Sequence, residues 1–167
     1  MAEIELKFTV NGENKTLVTN PVKTLLSVLR DDLGLKGAKE ACGQGDCGTC
    51  VVVMDNKAVN SCLVLAGQAQ GTSIVTVEGL AVNDVLHPLQ KAFIDHWAFQ
   101  CGFCTSGMLM SVYALLLANS KPTAEEVREA ISGNLCRCTS YAEIVEAVLS
   151  VTDGVEPALR TEVLDAK

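Results

Sequence analysis

The stretch Cys42-Gly43-Gln44-Gly45-Asp46-Cys47-Gly48-Thr49-Cys50 constrains this chain more than any other. Three cysteines stand in the spacing C-x4-C-x2-C, and Cys62 follows Cys50 after eleven intervening residues. That spacing is the one that holds a [2Fe–2S] cluster. Each iron takes a tetrahedral sulfur environment, and two bridging sulfides supply half of it. The protein must therefore supply four thiolates. A chain wrapped around so small an object turns sharply and brings its backbone close to sulfur. Gly43, Gly45 and Gly48 permit this, because glycine accepts positive φ and has no side chain in the way. Backbone N–H groups aimed at the sulfurs then offset negative charge.

Two other uses of cysteine compete. Eight cysteines allow 105 disulfide pairings, which suits short secreted scaffolds. This chain has 167 residues and opens Met1-Ala2-Glu3-Ile4-Glu5, without a basic n-region, an apolar h-region or twin arginines. A cytoplasmic location is therefore expected, where thiols serve metal or redox chemistry. Zinc also takes four thiolates, but structural zinc sites favour two short C-x2-4-C knuckles. For the first four cysteines the glycine-rich loop favours iron–sulfur.

The chain is long enough for one or two domains, and 49% hydrophobic residues suffice for a core. A net charge of −7, with no cluster of lysine or arginine, argues against a nucleic-acid partner. No run approaches the ~18 apolar residues of a membrane span. The longest, Met108 to Ala118, reads as a buried helix.

Apolar Ile4, Leu6, Phe8 and Val10 alternate with polar residues and predict a half-buried strand. Asn11-Gly12 signals a hairpin, with Glu13-Asn14 lengthening the loop, and a short second strand near Lys15 to Val18. Leu25, Leu26, Val28, Leu29 and Leu33 recur at helical spacing, predicting a helix from Thr24 to about Asp32. After the cysteine loop, Val51 to Met54 and Ala58 to Cys62 read as paired strands, and Ile74 to Val77 as a last short strand. Strands around one helix and a metal loop predict an α+β fold, an N-terminal β-grasp ferredoxin-like domain over residues 1–80.

Beyond Gly79 the strand pattern stops, and an all-α four-helix domain is expected over residues 81–153. Asn83 is positioned to cap a first helix with Val85, Leu86, Leu89, Ala92, Phe93 and Trp97 on one face. Cys101-Gly102-Phe103-Cys104 heads a second, apolar nearly all round and running to about Asn119. Thr123-Ala124-Glu125-Glu126 is a capping box for a third through Ile131, and Ser140-Tyr141-Ala142-Glu143 a capping box for a fourth. Residues 154–167 form a charged tail expected to lie along a partner or be loosely ordered.

The second set of cysteines is Cys101, Cys104, Cys136 and Cys138. Two pairs again suffice for one [2Fe–2S] cluster. The spacing C-x2-C with a distant C-x-C also suits zinc. A dithiol redox motif is the third use of C-x2-C, but no thioredoxin-like βαβ unit surrounds it.

The order of C-x4-C-x2-C…C, then Gln100-Cys101-Gly102-Phe103-Cys104-Thr105, then Gly133-Asn134-Leu135-Cys136-Arg137-Cys138-Thr139, resembles the iron–sulfur small subunit of the molybdenum hydroxylases. This is the family of xanthine oxidase, aldehyde oxidoreductase and aerobic carbon monoxide dehydrogenase. The likeness runs from about residue 3 to 152. It implies a [2Fe–2S] cluster in each domain and an electron-transfer role without substrate chemistry. It implies a large partner subunit with a molybdenum–pyranopterin (dinucleotide) cofactor, a medium FAD subunit, and assembly as a dimer of heterotrimers. It places the Cys101, Cys104, Cys136 and Cys138 cluster nearer molybdenum and the Cys42, Cys47, Cys50 and Cys62 cluster nearer the flavin and the surface. It also assigns Gln100 and Cys138 to contact with the pterin. The alternative is a stand-alone ferredoxin whose helical half is a zinc-binding interaction module.

Three positions depart from the family pattern. Ala41 stands where glycine is common, and would be strained if that position needs positive φ. Ser106 replaces a common proline, and Ser140 a common glycine, the latter as a helix cap. The other chemistry-bearing residues have ordinary readings. His87 and His96 are expected to be partly exposed packing residues, and Met108 and Met110 core filler. Arg137 is expected in structural pairing, and Lys36 and Lys39 on a helix face, either solvated or meeting a flavin subunit.

Overall fold

The computed structural model describes residues 3–152, so the expectations for the 154–167 tail lie outside the described residues. Five strands form a mixed sheet in the order β2-β1-β5-β3-β4. They are β1 (Ile4–Val10), β2 (Glu13–Thr19), β3 (Val51–Met54), β4 (Lys57–Asn60) and β5 (Ser73–Val75). Central β1 and β5 run parallel and the other pairs antiparallel. The sheet and its helices make a ferredoxin-like α+β fold.

Both hairpins are tighter than the sequence suggests. Asn11 and Gly12 take φ of 51° and 81°, so two residues close the β1–β2 turn and β2 begins at Glu13. Asp55 and Asn56 do the same for β3–β4, at 48° and 65°. Asn and Asp tolerate this left-handed backbone, whose twist matches that of paired strands. β4 consequently spans Lys57–Asn60, and Cys62 falls beyond the strand.

Helix α1 (Leu25–Ser27) is capped by the Thr24 hydroxyl, which accepts from Ser27 N–H. It continues into a wider turn over Val28–Asp32, where Leu33 N–H reaches back to the Val28 carbonyl. Leu25, Leu26, Val28 and Leu29 are buried against Leu6, Phe8, Val10 and Ile74 on one face of the sheet. The other face packs on helices. The period of two along β3 explains how: Cys50 and Val52 face α1, whereas Val51 and Val53 join the helical core.

The helices are α2 (Pro88–Asp95), α3 (Thr105–Ala118), α4 (Ala124–Ala130) and α5 (Tyr141–Thr152). As expected, α3 is buried nearly all round, with Met108 and Met110 in the core. The α4 capping box closes between Thr123 and Glu126.

Three expectations fail here. Asn83 does not cap α2; Asn83 and Asp84 take positive φ inside a turn closed by mutual Val82–Val85 hydrogen bonds. His87 is the cap instead, its Nδ1 accepting from Leu89 N–H, with Pro88 fixing the first turn. Val85 and Leu86 are therefore exposed, as is Trp97, 80% accessible with φ of 54° just past the helix end. The second capping box also fails to close: Ser140 Oγ accepts from Ala142 N–H, but the Glu143 carboxylate turns inward.

Candidate metal centre

The first four thiols collect on one side of the sheet. Cys42 and Cys47 lie on the glycine loop, Cys50 at the foot of β3 and Cys62 in the turn after β4. Gly43, Gly45 and Gly48 all take positive φ, and Ala41 does not, so alanine is unstrained there. Cys50 Sγ and Cys62 Sγ are 3.3 Å apart and both residues are buried. Cys42 and Cys47 form a second hydrogen-bonded pair. Two thiolates on one tetrahedral metal stand about 3.8 Å apart, given metal–sulfur bonds of ~2.3 Å. The set thus reads as two pairs, one for each of two irons.

The electrostatics differ between the pairs. The Gln44 N–H donates to Cys42 Sγ at 3.5 Å. With the N–H groups of Cys47 and Asp46 and the Cys47 thiol, it brings the Cys42 pKa down to about 6. Burial, and then the Cys50 thiol beside it, push Cys62 up to about 12. A metal takes cysteine as thiolate, so binding at this set would draw the Cys62 proton off against its burial.

The second set is assembled from two loops. Cys101 and Cys104 precede α3, with Cys104 as its N-cap, and Cys136 and Cys138 lie between α4 and α5. Cys101 Sγ and Cys138 Sγ are 3.7 Å apart and both residues are exposed. Cys104 pairs with Cys136; burial, then this neighbour, push Cys104 up to about 12. On Cys136 burial pushes the pKa up, but the Thr139 N–H and the Cys104 thiol outweigh it and the result is downward. The Thr139 hydroxyl is buried beside these thiols and turned to Cys136, whose thiolate it stabilises. Four thiols per set, with N–H and O–H donors aimed at sulfur, are the donor chemistry an iron–sulfur group requires. Among the described residues no three metal-binding side chains converge as one ion would require; the thiols stand in pairs.

Gln100 is exposed, and its Nε2 donates to the Cys138 carbonyl at 2.8 Å. The loop between α4 and α5 is held from within by Tyr141, whose hydroxyl donates to the Asn134 carbonyl (2.7 Å) and accepts from Cys136 N–H (3.0 Å). Arg137 is exposed and makes no ion pair among the described residues. Lys36 and Lys39 lie on a loop, not a helix face. Lys36 Nζ donates to the Arg30 carbonyl, and Lys39 is half-buried.

The two sets meet through residues that spacing did not reveal. Leu135 N–H donates to the Cys47 carbonyl at 3.0 Å. Buried Asn134 donates from Nδ2 to the Gly48 carbonyl (3.0 Å) and accepts from Ser111 Oγ (2.7 Å). Gly48 has φ of 69°, and a Cβ there would stand 2.5 Å from the Gly133 carbonyl. A Cβ on Gly107 would stand 2.1 Å from the Gly48 carbonyl. Gly107 lets α3 touch the first loop, and Gly48 lets the loop between α4 and α5 close on it. Gly-Asn-Leu before Cys136 was visible as a motif, but its target was not.

Comparison with known proteins agrees. A 2Fe-2S iron-sulfur cluster binding domain matches residues 8–81, and a [2Fe-2S] binding domain matches residues 76–149. The chain is 54% identical to the nicotine 6-hydroxylase small subunit of Paenarthrobacter nicotinovorans, covering 87% of this chain and 88% of that one. It is 46% identical to the nicotinate dehydrogenase small FeS subunit of Eubacterium barkeri, covering 89% and 94%. Among solved structures, quinoline 2-oxidoreductase from Pseudomonas putida 86 superposes with a TM-score of 0.85 at 42% identity, covering 97% of this chain and 96% of that one. With two [2Fe–2S]-binding domains and relatives of this identity over nearly its whole length, the chain belongs to the iron–sulfur small subunits of the molybdenum hydroxylases, the electron-transfer components of oxidoreductase complexes with larger partner subunits.

Proposed function

We propose that Cys42, Cys47, Cys50 and Cys62 hold one [2Fe–2S] cluster and Cys101, Cys104, Cys136 and Cys138 a second. The first belongs to a β-grasp unit over residues 1–80 and the second to a four-helix unit over 81–153. The observation that carries this reading is the pairing of thiols, at 3.3 Å for Cys50–Cys62 and 3.7 Å for Cys101–Cys138. Each pair fits one iron, and two pairs per set fit two. Such a cluster supplies one-electron acceptance and release.

The chain's own residues do the rest. The Gln44 N–H and its neighbours hold Cys42 as thiolate at neutral pH. The Cys47 carbonyl and Leu135 N–H join the two sets through a single hydrogen bond, with Leu135 bonded directly to Cys136. That short backbone link supports electron passage between the sets, one electron at a time. The exposure of Cys101, Cys138 and Gln100 supports a partner seated over that edge. In this reading the partner is the large subunit with its molybdenum–pyranopterin cofactor, contacted by Gln100 and Cys138. The electrons leave from the first set toward FAD on a medium subunit or another acceptor. Assembly is as a dimer of heterotrimers, in the cytoplasm, where free thiols persist. Nicotine and nicotinate, named for two relatives, are the first substrates to assay in the complex, with aldehydes beside them.

Iron, acid-labile sulfide and zinc per chain, with electron paramagnetic resonance of the dithionite-reduced protein purified without oxygen, test the reading. About four irons, about four sulfides and two distinct signals are expected from eight thiolate ligands. About two irons, one signal and one zinc would replace it with a ferredoxin carrying a zinc module.

A further inference from the structure

We propose that Lys39 is an electrostatic tuning residue: its ammonium is a fixed positive charge, clamped beside Cys104 by Ser106, that would make a cluster held by the second set of thiols a better electron acceptor. The inference rests on the cluster reading above.

Lys39 belongs to the first half of the chain, three residues before Cys42, yet its side chain ends in the second. Thr49 pins its backbone from both sides: Lys39 N–H donates to the Thr49 carbonyl (3.1 Å), and Thr49 Oγ1 donates to the Lys39 carbonyl (3.0 Å). From that anchor Nζ donates to the Gly37 carbonyl at 2.9 Å and to Ser106 Oγ at 2.8 Å. It also stands 5.7 Å from the centroid of the Phe103 ring, within cation–π range. Phe103 and Ser106 flank Cys104 in sequence, so the ammonium is fixed from either side of that thiol. Ser106 is buried, so this contact is shielded from water.

The charge is not neutralised by an ion pair. Lys39 takes part in no salt bridge among the described residues. The charged groups it feels are Glu78, Arg30 and Cys104. The Glu78 carboxylate is itself bonded by Gly37 N–H and the Thr76 hydroxyl, and the Arg30 guanidinium by the carbonyls of Lys36 and Ala38. Half-burial lowers the Lys39 pKa from the ordinary lysine value, as expected of an ammonium withdrawn from water, where screening is weak. A positive charge favours the more negative, reduced state of a neighbouring redox group.

The test is a redox titration of the assembled complex followed by electron paramagnetic resonance, comparing wild type with Lys39→Met, Lys39→Arg and Ser106→Ala. A Cys62→Ser variant, which perturbs only the first set, tells the two signals apart. In Lys39→Met the reduced-to-oxidised ratio of the second signal at fixed potential should fall about tenfold, or ~59 mV for one electron. The first signal should move less, and Lys39→Arg should restore most of the loss. An unshifted second signal at full iron content, or an equal shift of both, would overturn the inference. If Lys39→Met loses iron, Ser106→Ala decides, because it keeps the charge and frees its tether. About a threefold fall in the second signal is then expected, and none overturns the proposal. A wild-type complex without a second iron–sulfur signal would instead overturn the cluster reading, and this inference with it.

Discussion

Asn134 shows what a single buried amide does here. Its two hydrogen bonds, to Ser111 on α3 and to the Gly48 carbonyl in the first cysteine loop, join the two thiol-bearing regions. Replacing it with alanine strands two buried polar groups, each worth ~1–3 kcal/mol. Asn134→Ala should therefore destabilise the chain by about 2–4 kcal/mol in urea unfolding; a change below ~1 kcal/mol would mean that water replaces the amide. Trp97 is the opposite case, a large side chain in a left-handed conformation with most of its surface in water. Such a backbone costs a non-glycine residue roughly 1–2 kcal/mol. Trp97→Gly should stabilise the isolated chain by about 0.5–1 kcal/mol after the extra freedom glycine gains in the unfolded state, read as a higher urea midpoint. Sequence periodicity put Trp97 on the buried face of α2 because it assumes that the helix continues. The helix ends at Asp95, with His96 as its C-cap, and the chain turns away.

At the scale of elements, α2 is the most informative. Its cap is a titratable imidazole, which accepts from Leu89 N–H and packs edge-on against Tyr113 with ring centroids 5.6 Å apart. Burial pushes the His87 pKa below the ordinary histidine value, so the folded chain binds this proton more weakly than the unfolded one. The cap's contribution is present above the unfolded pKa of about 6.5 and is lost as pH falls from there through the lower folded value. Protonation of Nδ1 also removes the acceptor. His87→Asn keeps a capping acceptor without the titration. The stability difference between wild type and His87→Asn should accordingly shift against wild type between pH 7.5 and pH 5; a pH-independent difference would show that the imidazole is not held neutral. The hairpins teach a complementary lesson. Asn11-Gly12 and Asp55-Asn56 announced turns, and only the positive φ at all four residues fixed the loops at two residues and hence the strand registers.

Across the whole molecule, the two thiol sets tie down different lengths of chain. The first spans residues 42–62, within a region already packed on the sheet and α1. The second joins the start of α3 to the loop between α4 and α5, far apart in sequence. Removing iron with a chelator under reducing conditions should therefore loosen α4 and α5 more than β1 and β2. Amide hydrogen exchange checks this: equal loss of protection in both halves would show that they open as one cooperative unit. The contacts that would couple them are Val51, Val53 and Val75 of the sheet, which share a core with the helices, and Gly107, through which α3 reaches the first loop.

The sequence by itself determined the kinds of element and which thiols were candidates for a shared site. Cysteine spacing, period-two and period-3.6 hydrophobicity and the Thr123–Glu126 box are local signals, written by residues a few positions apart. They sufficed for the existence of the strands, though not all their bounds, and for the buried α3. Tertiary structure decided what depends on distant residues meeting. It paired Cys101 with Cys138 across 37 positions, bonded Leu135 to Cys47, and carried the Lys39 ammonium to Ser106. It also turned Glu143 inward, leaving the second capping box open. A local pattern states which bonds a segment is able to make; competition among all packed segments selects which of them form.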